Sequence, residues 1–466
     1  MPPLPITILG VPIQNLSAEE IVEECLNFLN KFPKDNNYIC TINLDFMVNA
    51  HSWLPSDVHD PELLKIYRKS AIVTADGMPI ILLSKLLGSP IKQRTTGREL
   101  LAKLAAALGK NEKAIFLLGG KEKTSKMAAV HLHDKAKGLR VVGIATPPIA
   151  IEGEDLVNAF ERDGLIVDQI NETKPDFLAI NLGNPKQEIW FERIRSRLRV
   201  SLSMGVGGTL DVLGGEFYPT PAWMGRIGLE WLHRLIQDPS RLWRRYFRDF
   251  FKGIALALPL IIYHNVNRLF FTLFSSYGDL CVFKAQLFLS QTGSLGVIQM
   301  PKLLDKECSE QLNKALHECT AQDYLVLDFE QTRHIQPEGF SLLIHIWLTY
   351  TRARKEFYFL NLSGNIRRLM QVHRVWDIFN HITCYNVDEL VVRLNRKGSI
   401  LSFYDSIQQA PDFVTITFFG PLTNSQDLAS YLQKIAPIVR QKNCVLDFNY
   451  CTSLDNTRSE EHTSEL

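Results

Sequence analysis

Several signatures that would settle a function quickly are missing from this sequence. Its eight cysteines (Cys25, Cys40, Cys281, Cys308, Cys319, Cys384, Cys444 and Cys451) include no C-x-x-C pair and no Cys/His spacing suited to zinc, which removes zinc ribbons and dithiol redox centres. Charge of one sign is missing too. Lys plus Arg is 51 and Asp plus Glu is 50, a net charge of +1, so nothing global attracts nucleic acid, and any pull toward phosphate or membrane must be local. The N-terminus, MPPLPITILG, has no basic n-region and only a short apolar run. With the scattered cysteines this predicts a reducing cytoplasm. The most apolar stretch, Gly253–Tyr263, is too short for the roughly 20 residues a bilayer span requires. Extending it to Phe274 crosses His264, Asn265, Asn267 and Arg268. The expectation is an interfacial segment rather than a span. G-x-G-x-x-G is absent, and no Walker lysine follows the chain's glycine-rich turn, which disfavours a dinucleotide-dependent oxidoreductase and a P-loop ATPase.

What is present is ordinary globular material. Hydrophobic residues make up 46% and charged residues 22% of 466 positions, enough for two or three domains. Residues 1–250 alternate β-rich runs (Tyr38–Ile42, Ala71–Thr74, Ala114–Leu118, Arg140–Ala145, Phe177–Asn181, Ser201–Val206) with helical periods (Ala18–Asn30, Gly97–Leu108, Pro185–Leu198). That pattern predicts an α/β domain with a mostly parallel sheet, whose strand carboxyl ends converge on one ligand crevice. Residues 222–275 turn helical and amphipathic. A new domain is expected after about Ser290, with strands in Gly293–Leu304 and Tyr324–Thr332 and helices in Glu307–Cys319 and Phe340–Ala353.

That second region repeats. Val414–Leu422 and Cys444–Asn456 echo its two strands, and Leu-Asp-Phe recurs at 327–329 and 446–448, an offset of 447 − 328 = 119. A constant offset is what a duplicated domain leaves behind. The last residues, Arg458–Leu466, read as the translation of a sequencing adapter and are set aside from fold reasoning. The resulting division is 1–222 for the α/β domain and 223–290 for a basic, aromatic appendage and linker. Residues 291–395 form a small β/α domain, 396–410 a linker, 411–457 an interrupted second copy, and 458–466 the adapter tail.

Six motifs could carry chemistry. Thr41–Asp45 (TINLD) follows a strand, where Thr41 and Asn43 suit either a sugar ligand or a helix cap. Thr74–Pro79 (TADGMP) delivers Asp76 at a tight turn above the sheet. That suits a general base, although an Asp-Gly turn alone is commoner. Arg94–Leu100 (RTTGREL) runs a basic loop into a helix N-terminus, where Arg94 could hold a diphosphate. Asn181–Trp190 (NLGNPKQEIW) points Lys186 and Gln187 into the crevice. Met204–Glu216 contains Gly205, Gly207 and Gly208, which let backbone approach phosphate. Finally, Gly228–Gly253 interleaves Arg234, Arg241, Arg244, Arg245, Arg248 and Lys252 with Trp231, Leu235, Trp243, Tyr246, Phe247, Phe250 and Phe251. Such a mixture suits an anionic membrane surface or a pyrophosphate, and its apolar continuation favours lipid over nucleic acid.

In this order, T-x-N, A-D-G-x-P, R-x-x-G-x-x-L, F-L-L-G-G (Phe116–Gly120), N-P-K-Q-E, G-V-G-G and G-L-E-W-L-x-R-L-x-x-x-P-x-R-x-x-R-R-Y resemble the WecG/TagA/CpsF family, glycosyltransferase family 26, over about residues 5–250. The resemblance implies a Rossmann-like transferase with no cofactor that inverts configuration without a metal, consistent with the lack of Asp-x-Asp in residues 1–250. It implies a UDP-sugar donor of the N-acetylmannosamine or N-acetylmannosaminuronate class and a polyprenyl-diphosphate-linked N-acetylglucosamine acceptor. Asp76 would be the base, and Thr41, Asn43, Arg94 and Gln187 would line the donor site with Lys186, Gly207 and Gly208. Arg241, Arg244 and Arg245 would close the site and meet the lipid diphosphate, placing the protein peripherally on the inner membrane face. Three departures stand out: an extended loop at His51–Pro61, Glu99 where the family usually has Asp, and Pro219-Thr220-Pro221 where Arg-Ala-Pro is common.

The downstream pair resembles STAS domains, the small β/α modules of anti-anti-sigma factors and sulfate transporters. In those, a strand ending in Leu-Asp is followed by a D-S-S-G loop that a kinase phosphorylates. Here the phosphoacceptor position is Glu338 in the first copy and Thr457 in the second. The resemblance implies docking to a STAS-binding protein partner or regulation by one. The rival reading is a catalytically inactive transferase domain that serves as a membrane scaffold for STAS signalling.

Overall fold

The computed structural model describes residues 3–31, 36–53, 59–151, 159–218, 220–226, 228–274, 283–289, 294–319, 322, 324–395, 404–409, 413–422, 433 and 443–454. The chain folds into two compact units, one of residues 1–265 and one holding most of residues 266–466.

The first unit opens with a hairpin, β1 (Ile6–Ile8) and β2 (Val11–Ile13), followed by α1 (Ala18–Lys31), β3 (Asn37–Ile42), α2 (Leu44–Ala50) and α3 (Pro61–Lys69). Then come β4 (Ile72–Ala75), α4 (Met78–Leu86), α5 (Gly97–Lys110), β5 (Ala114–Gly119), α6 (Glu122–Lys135), β6 (Arg140–Ala145) and α7 (Ala159–Thr173). The series ends with β7 (Phe177–Asn181), α8 (Lys186–Ile194), β8 (Leu202–Gly205), α9 (Thr209–Leu213), α10 (Ala222–Arg226), α11 (Glu230–Gln237) and α12 (Pro239–Phe274). Strands β3 to β8 form a six-stranded sheet of order β4-β3-β8-β7-β5-β6, with every neighbouring pair parallel.

Alternation along the strands explains the layering. Phe116 and Leu118 of β5 join one buried cluster, whereas Ile115 and Leu117 join the other. Side chains on a strand point to opposite faces in turn, so each face holds a core under its own helices. The six predicted strands and three predicted helices all form, with ends displaced by a few residues. The hairpin β1/β2 and the helices α3, α4, α6 and α7 were not specified. Within the predicted extended loop His51–Pro61, residues 54–58 lie outside the described residues. The loop ends in a helix start, with Asp60 accepting from the Leu63 amide at 2.9 Å and Pro61 at the first position. The appendage is helical as expected, but residues 223–265 fold as part of the sheet-bearing unit instead of standing apart from it.

The second unit contains β9 (Lys284–Leu289), β10 (Ser294–Gln299), β11 (Leu303–Leu304), α13 (Ser309–Cys319), β12 (Tyr324–Asp328), β13 (His334–Ile335) and α14 (Pro337–Arg352). It continues with β14 (Glu356–Leu360), α15 (Gly364–Val372), α16 (Trp376–Phe379), β15 (Thr383–Cys384), α17 (Val387–Asn395), β16 (Tyr404–Gln409), β17 (Phe413–Leu422) and β18 (Asn443–Leu454). Its main sheet has eight strands in the order β15-β14-β12-β10-β9-β16-β17-β18. β9 runs antiparallel to β10, which is parallel to β12. β16 likewise runs antiparallel to β17, which is parallel to β18. The segment expected as a linker, 396–410, therefore contains a strand, because β16 finds partners in both β17 and β9. Glu338 sits in the first turn of α14. Thr457 and the tail lie outside the described residues.

A Cβ at Gly143 of β6 would collide with the fully buried ring of Phe116, its partner across β5. Gly143→Ala should therefore destabilise the first unit by about 1–3 kcal/mol through overpacking. Urea unfolding measures this directly, and an unchanged midpoint would show that the ring can move aside.

Candidate functional site

Parallel pairing brings five strand ends to one edge of the sheet. Asn43 follows β3, Asp76 follows β4, Gly120 follows β5, Asn181 ends β7 and Val206 follows β8. Two adjoining cavities open there, of about 540 and 660 Å³. The larger is polar, lined by Thr41, Asn181, Gln187, Gly207, Gly208 and Asp211 among others. The smaller is aromatic, with Met78, Pro79, Trp231, Trp243, Phe247 and Phe250 on its walls. Asn43, Asp45, Asp76, Glu230, Arg234, Arg245 and Tyr246 line both.

Asp76 is held by its backbone. Its amide donates to the Ile42 carbonyl at 2.8 Å, and the Thr95 amide donates to Ala75 at 2.9 Å. Burial pushes its carboxyl up to about 6, opposed by Arg234 and Arg94 and reinforced by Glu230. Asp45, in the first turn of α2, is likewise raised to about 6 by burial, against the pull of Arg245. Arg245 and Arg248 reach it from α12 at 3.6 and 3.3 Å.

Gln187 is positioned from both ends. Its Oε1 accepts from the Gly207 amide at 3.0 Å, and its Nε2 donates to Glu188 Oε1 at 2.7 Å. Glu188 is fully buried and also accepts from Asn184 Nδ2 at 3.0 Å and from the Tyr38 hydroxyl at 3.3 Å. Gly205 must be glycine here, since a Cβ would strike both Gln187 and Tyr38. Asn181 ties the turn together, accepting from the Leu210 amide at 2.9 Å and donating to Asp211 at 3.1 Å. Gly207, at φ +56°, has open space where a side chain would stand, so its backbone faces the polar cavity bare.

The sequence-predicted residues divide. Thr41, Asn43, Gln187, Gly207 and Gly208 meet at the polar cavity, and Asp76 and Arg245 face both cavities. Asn43 has a second duty as the cap of α2, accepting from the Asp45 amide at 3.0 Å. Arg94 lines the aromatic cavity instead of the polar one, where Glu230 holds it at 3.0 Å. Lys186 and Arg244 are corrections. Both are exposed and line neither cavity, because successive helical residues point about 100° apart and their neighbours Gln187 and Arg245 take the inward positions. Arg244 instead lies over the Trp243 ring at 5.5 Å. The side chain of Arg241 lies outside the described residues. Glu99, one of the departures from the family pattern, sits at the third position of α5, whose start Thr96 caps. It lines neither cavity. Sequence reasoning missed Asp45, Asn181, Asp211, Glu188, Glu230 and Arg234. The signal for all six was their place inside the quoted motifs: Asp45 in Thr41–Asp45, Asn181 and Glu188 in Asn181–Trp190, Asp211 in Met204–Glu216, and Glu230 and Arg234 in Gly228–Gly253.

Burial raises Glu188 to about 7 from an ordinary 4.5, against its hydrogen bonds. The folded state thus holds this proton where the unfolded chain has released it, and stability falls as pH rises from about 4.5 to about 7. Wild type should lose about 3 kcal/mol more than Glu188→Gln across that window. Urea titrations at several pH values test this, and equal slopes in both proteins would sink it.

Known proteins match the unit that carries these cavities. The model of the glycosyl transferase WecG/TagA/CpsF family matches residues 6–264. The N-acetylglucosaminyldiphosphoundecaprenol N-acetyl-β-D-mannosaminyltransferase of Bacillus subtilis is 27% identical over 243 residues, covering 51% of this chain and 86% of its own length. The enzyme of that name from Staphylococcus aureus strain MW2 is 26% identical over 258 residues, covering 55% of this chain and 91% of its own. Among solved structures, the murine Solute Carrier 26 family member A9 anion transporter in its inward-facing state covers 46% of this chain and 38% of its own, at 13% identity and a TM-score of 0.23.

Proposed function

The chain belongs to the WecG/TagA/CpsF family and is a glycosyltransferase, and on that premise we propose that it transfers an N-acetylmannosamine-class sugar from UDP to a polyprenyl-diphosphate-linked N-acetylglucosamine. The observation that carries this reading is Asp76 on the wall common to a polar and an aromatic cavity. A nucleotide sugar fits the polar side, where Gly207 presents bare backbone and Thr41, Asn43 and Gly208 line the wall. A lipid-linked acceptor fits the aromatic side, with Arg94, Arg234 and Arg245 for its diphosphate.

The chemistry follows from that placement. The Asp76 carboxylate takes the proton of an acceptor hydroxyl as its oxygen bonds to the anomeric carbon. The opposite bond, from that carbon to the phosphate oxygen, breaks, and UDP leaves with the electron pair, so configuration inverts. A half-buried carboxyl near 6 is ionised at neutral pH yet more basic than an exposed one.

The same site supports peripheral membrane attachment. Helix α12 buries Leu242, Asp249, Leu256 and Leu260, while Phe247, Phe250, Ile254, Leu258 and Ile262 are exposed. Its segment Leu242–Leu273 is long and apolar enough to cross a bilayer. Crossing would draw the sheet that it packs against into lipid. Lying in the interface places only the exposed stripe there, with Arg244 and Arg248 at the headgroups.

For the second unit we favour a pair of STAS-like docking modules. The repeated strand pairing supports this, as does Leu-Asp at the end of β12 and within β18. Glu338 would act there as a permanent negative charge.

Two outcomes test the transferase. With UDP-N-acetylmannosamine and a short-chain polyprenyl-diphosphate N-acetylglucosamine, kcat/KM should rise with pH through an acid limb near 6, since the base works deprotonated. Asp76→Asn should lower kcat by about 10²–10⁴-fold. Failure to transfer from any UDP-sugar would favour the scaffold reading. For the membrane, replacing Phe247, Phe250 and Leu258 with Ser should release the protein from anionic liposomes, each apolar anchor contributing roughly 1.5–3 kcal/mol when fully buried. Unchanged sedimentation would remove α12 as the anchor.

A further inference from the structure

Two of the arginines that line the cavities, Arg94 and Arg245, are paired with carboxylates. Arg94, on the loop ahead of α5, meets Glu230, the first residue of α11, at 3.0 Å. Both side chains are about one-fifth exposed, at 20% and 21%. The pair is sheltered enough to matter and open enough to be replaced. Glu230 lines both cavities beside Asp76.

We infer that Glu230 is a positioning residue that occupies Arg94 in place of a phosphate until the acceptor diphosphate arrives, and that holds a fixed negative charge beside the base. This deepens the transferase reading and rests on it for its kinetic arm. A guanidinium accepts a carboxylate or a phosphate in the same forked geometry, so a diphosphate oxygen can displace Glu230 without moving Arg94 far. The displaced carboxylate has another partner within reach, since Arg234 stands one helical turn further along α11. At the helix start Glu230 is also favoured by the α11 dipole. A ligand must therefore out-compete a half-buried carboxylate to gain Arg94. A diphosphate does so, and a singly charged anion does so poorly.

The second consequence falls on Asp76. The groups facing it are Arg234 and Glu230 from α11, Arg94 and the Gly97 amide from the start of α5. Asp45 of α2 and Arg245 of α12 share the same wall. Glu230 opposes ionisation of Asp76, whereas Arg234 and Arg94 favour it. Once the diphosphate engages Arg94, the base keeps its carboxylate neighbour while one of its cations is neutralised. Its affinity for a proton rises at the moment the acceptor hydroxyl is in place.

The test uses the full chain and two variants, Glu230→Gln and Glu230→Asp. Binding of inorganic pyrophosphate, measured by calorimetry without turnover, should tighten by about three- to tenfold in Glu230→Gln, because the competing charge is gone. It should stay near wild type in Glu230→Asp, which keeps the charge. In the transfer assay Glu230→Gln should lower both KM for the acceptor and kcat, and should move the acid limb of kcat/KM to lower pH. Unchanged or weaker pyrophosphate binding in Glu230→Gln would overturn the inference, as would an unmoved acid limb or an Asp variant that behaves like Gln. Because pyrophosphate binding needs no sugar donor, its outcome stands apart from whether the proposed transfer is found.

Discussion

A single backbone hydrogen bond, from the Asp76 amide to the Ile42 carbonyl at 2.8 Å, fastens the end of β4 to the end of β3. The parallel register pairs Thr41 with Thr74 and Ile42 with Ala75, so the strands stop level, and Asp76 emerges beside Asn43. Everything else at the site is arranged around that junction. α2 begins at Leu44 because Asn43 caps it, and that start places Asp45 in the wall. α4 begins one residue after Gly77, where a Cβ would press on Asn43 at 3.2 Å. Asp76 is thus carried by rigid elements on both sides, as the base of the proposed transfer would have to be to meet a hydroxyl at hydrogen-bonding distance.

Charge is balanced locally. Asp45 is met by Arg245 and Arg248, Glu230 by Arg94, and Glu216 by Lys121. Half-buried ions cost free energy unless paired, whereas a site that takes a diphosphate, as proposed, needs cations in its walls. Carboxylates in the walls resolve that conflict, at the expense of raising one another's proton affinity. The elevated carboxyls Asp45 and Asp76 share the same cause, burial, so the basicity the reaction needs comes with the shelter that two substrates require.

Much of this was legible in the residues. Buried strands in a parallel sheet read as apolar runs, and the six in the first unit announce themselves that way. Asp76, Thr41, Asn43 and Gln187 stood at strand ends that the fold class sends to one edge. What could not be read was direction. Lys186 and Gln187 are neighbours in the chain, as are Arg244 and Arg245, and only the phase of each helix decides which enters the crevice. Glu188 was hidden for a different reason. A charged residue next to Gln in a first helical turn reads as solvated, and its burial depends not only on its neighbours Asn184 and Gln187 but on Tyr38, 150 positions away, of which the sequence carries no trace. The loop of Arg94, running into a helix N-terminus, suggests a diphosphate ligand, and the family resemblance puts it in the donor site. Its partner Glu230 lies 136 positions further on and turns it to the other cavity.

Helix α12 shows why composition alone left the membrane question open. A hydropathy average counts its leucines and phenylalanines equally, yet Leu256 is 2% exposed and Leu258 is 51% exposed. The apolar residues therefore serve two different solvents. Those at 242, 256 and 260 belong to the protein core, and those at 247, 250, 254, 258 and 262 are 45–62% exposed. Only the second set is available to lipid. The first set ties the same helix to the sheet whose edge carries Asp76, so a helix lying on a membrane in the proposed way would fix how far Asp76 stands from the headgroups. An acceptor whose sugar is tethered to the bilayer through a diphosphate has that same limited reach. Through Arg245, which faces both cavities from this helix, the element proposed to meet the membrane is also a wall of the site.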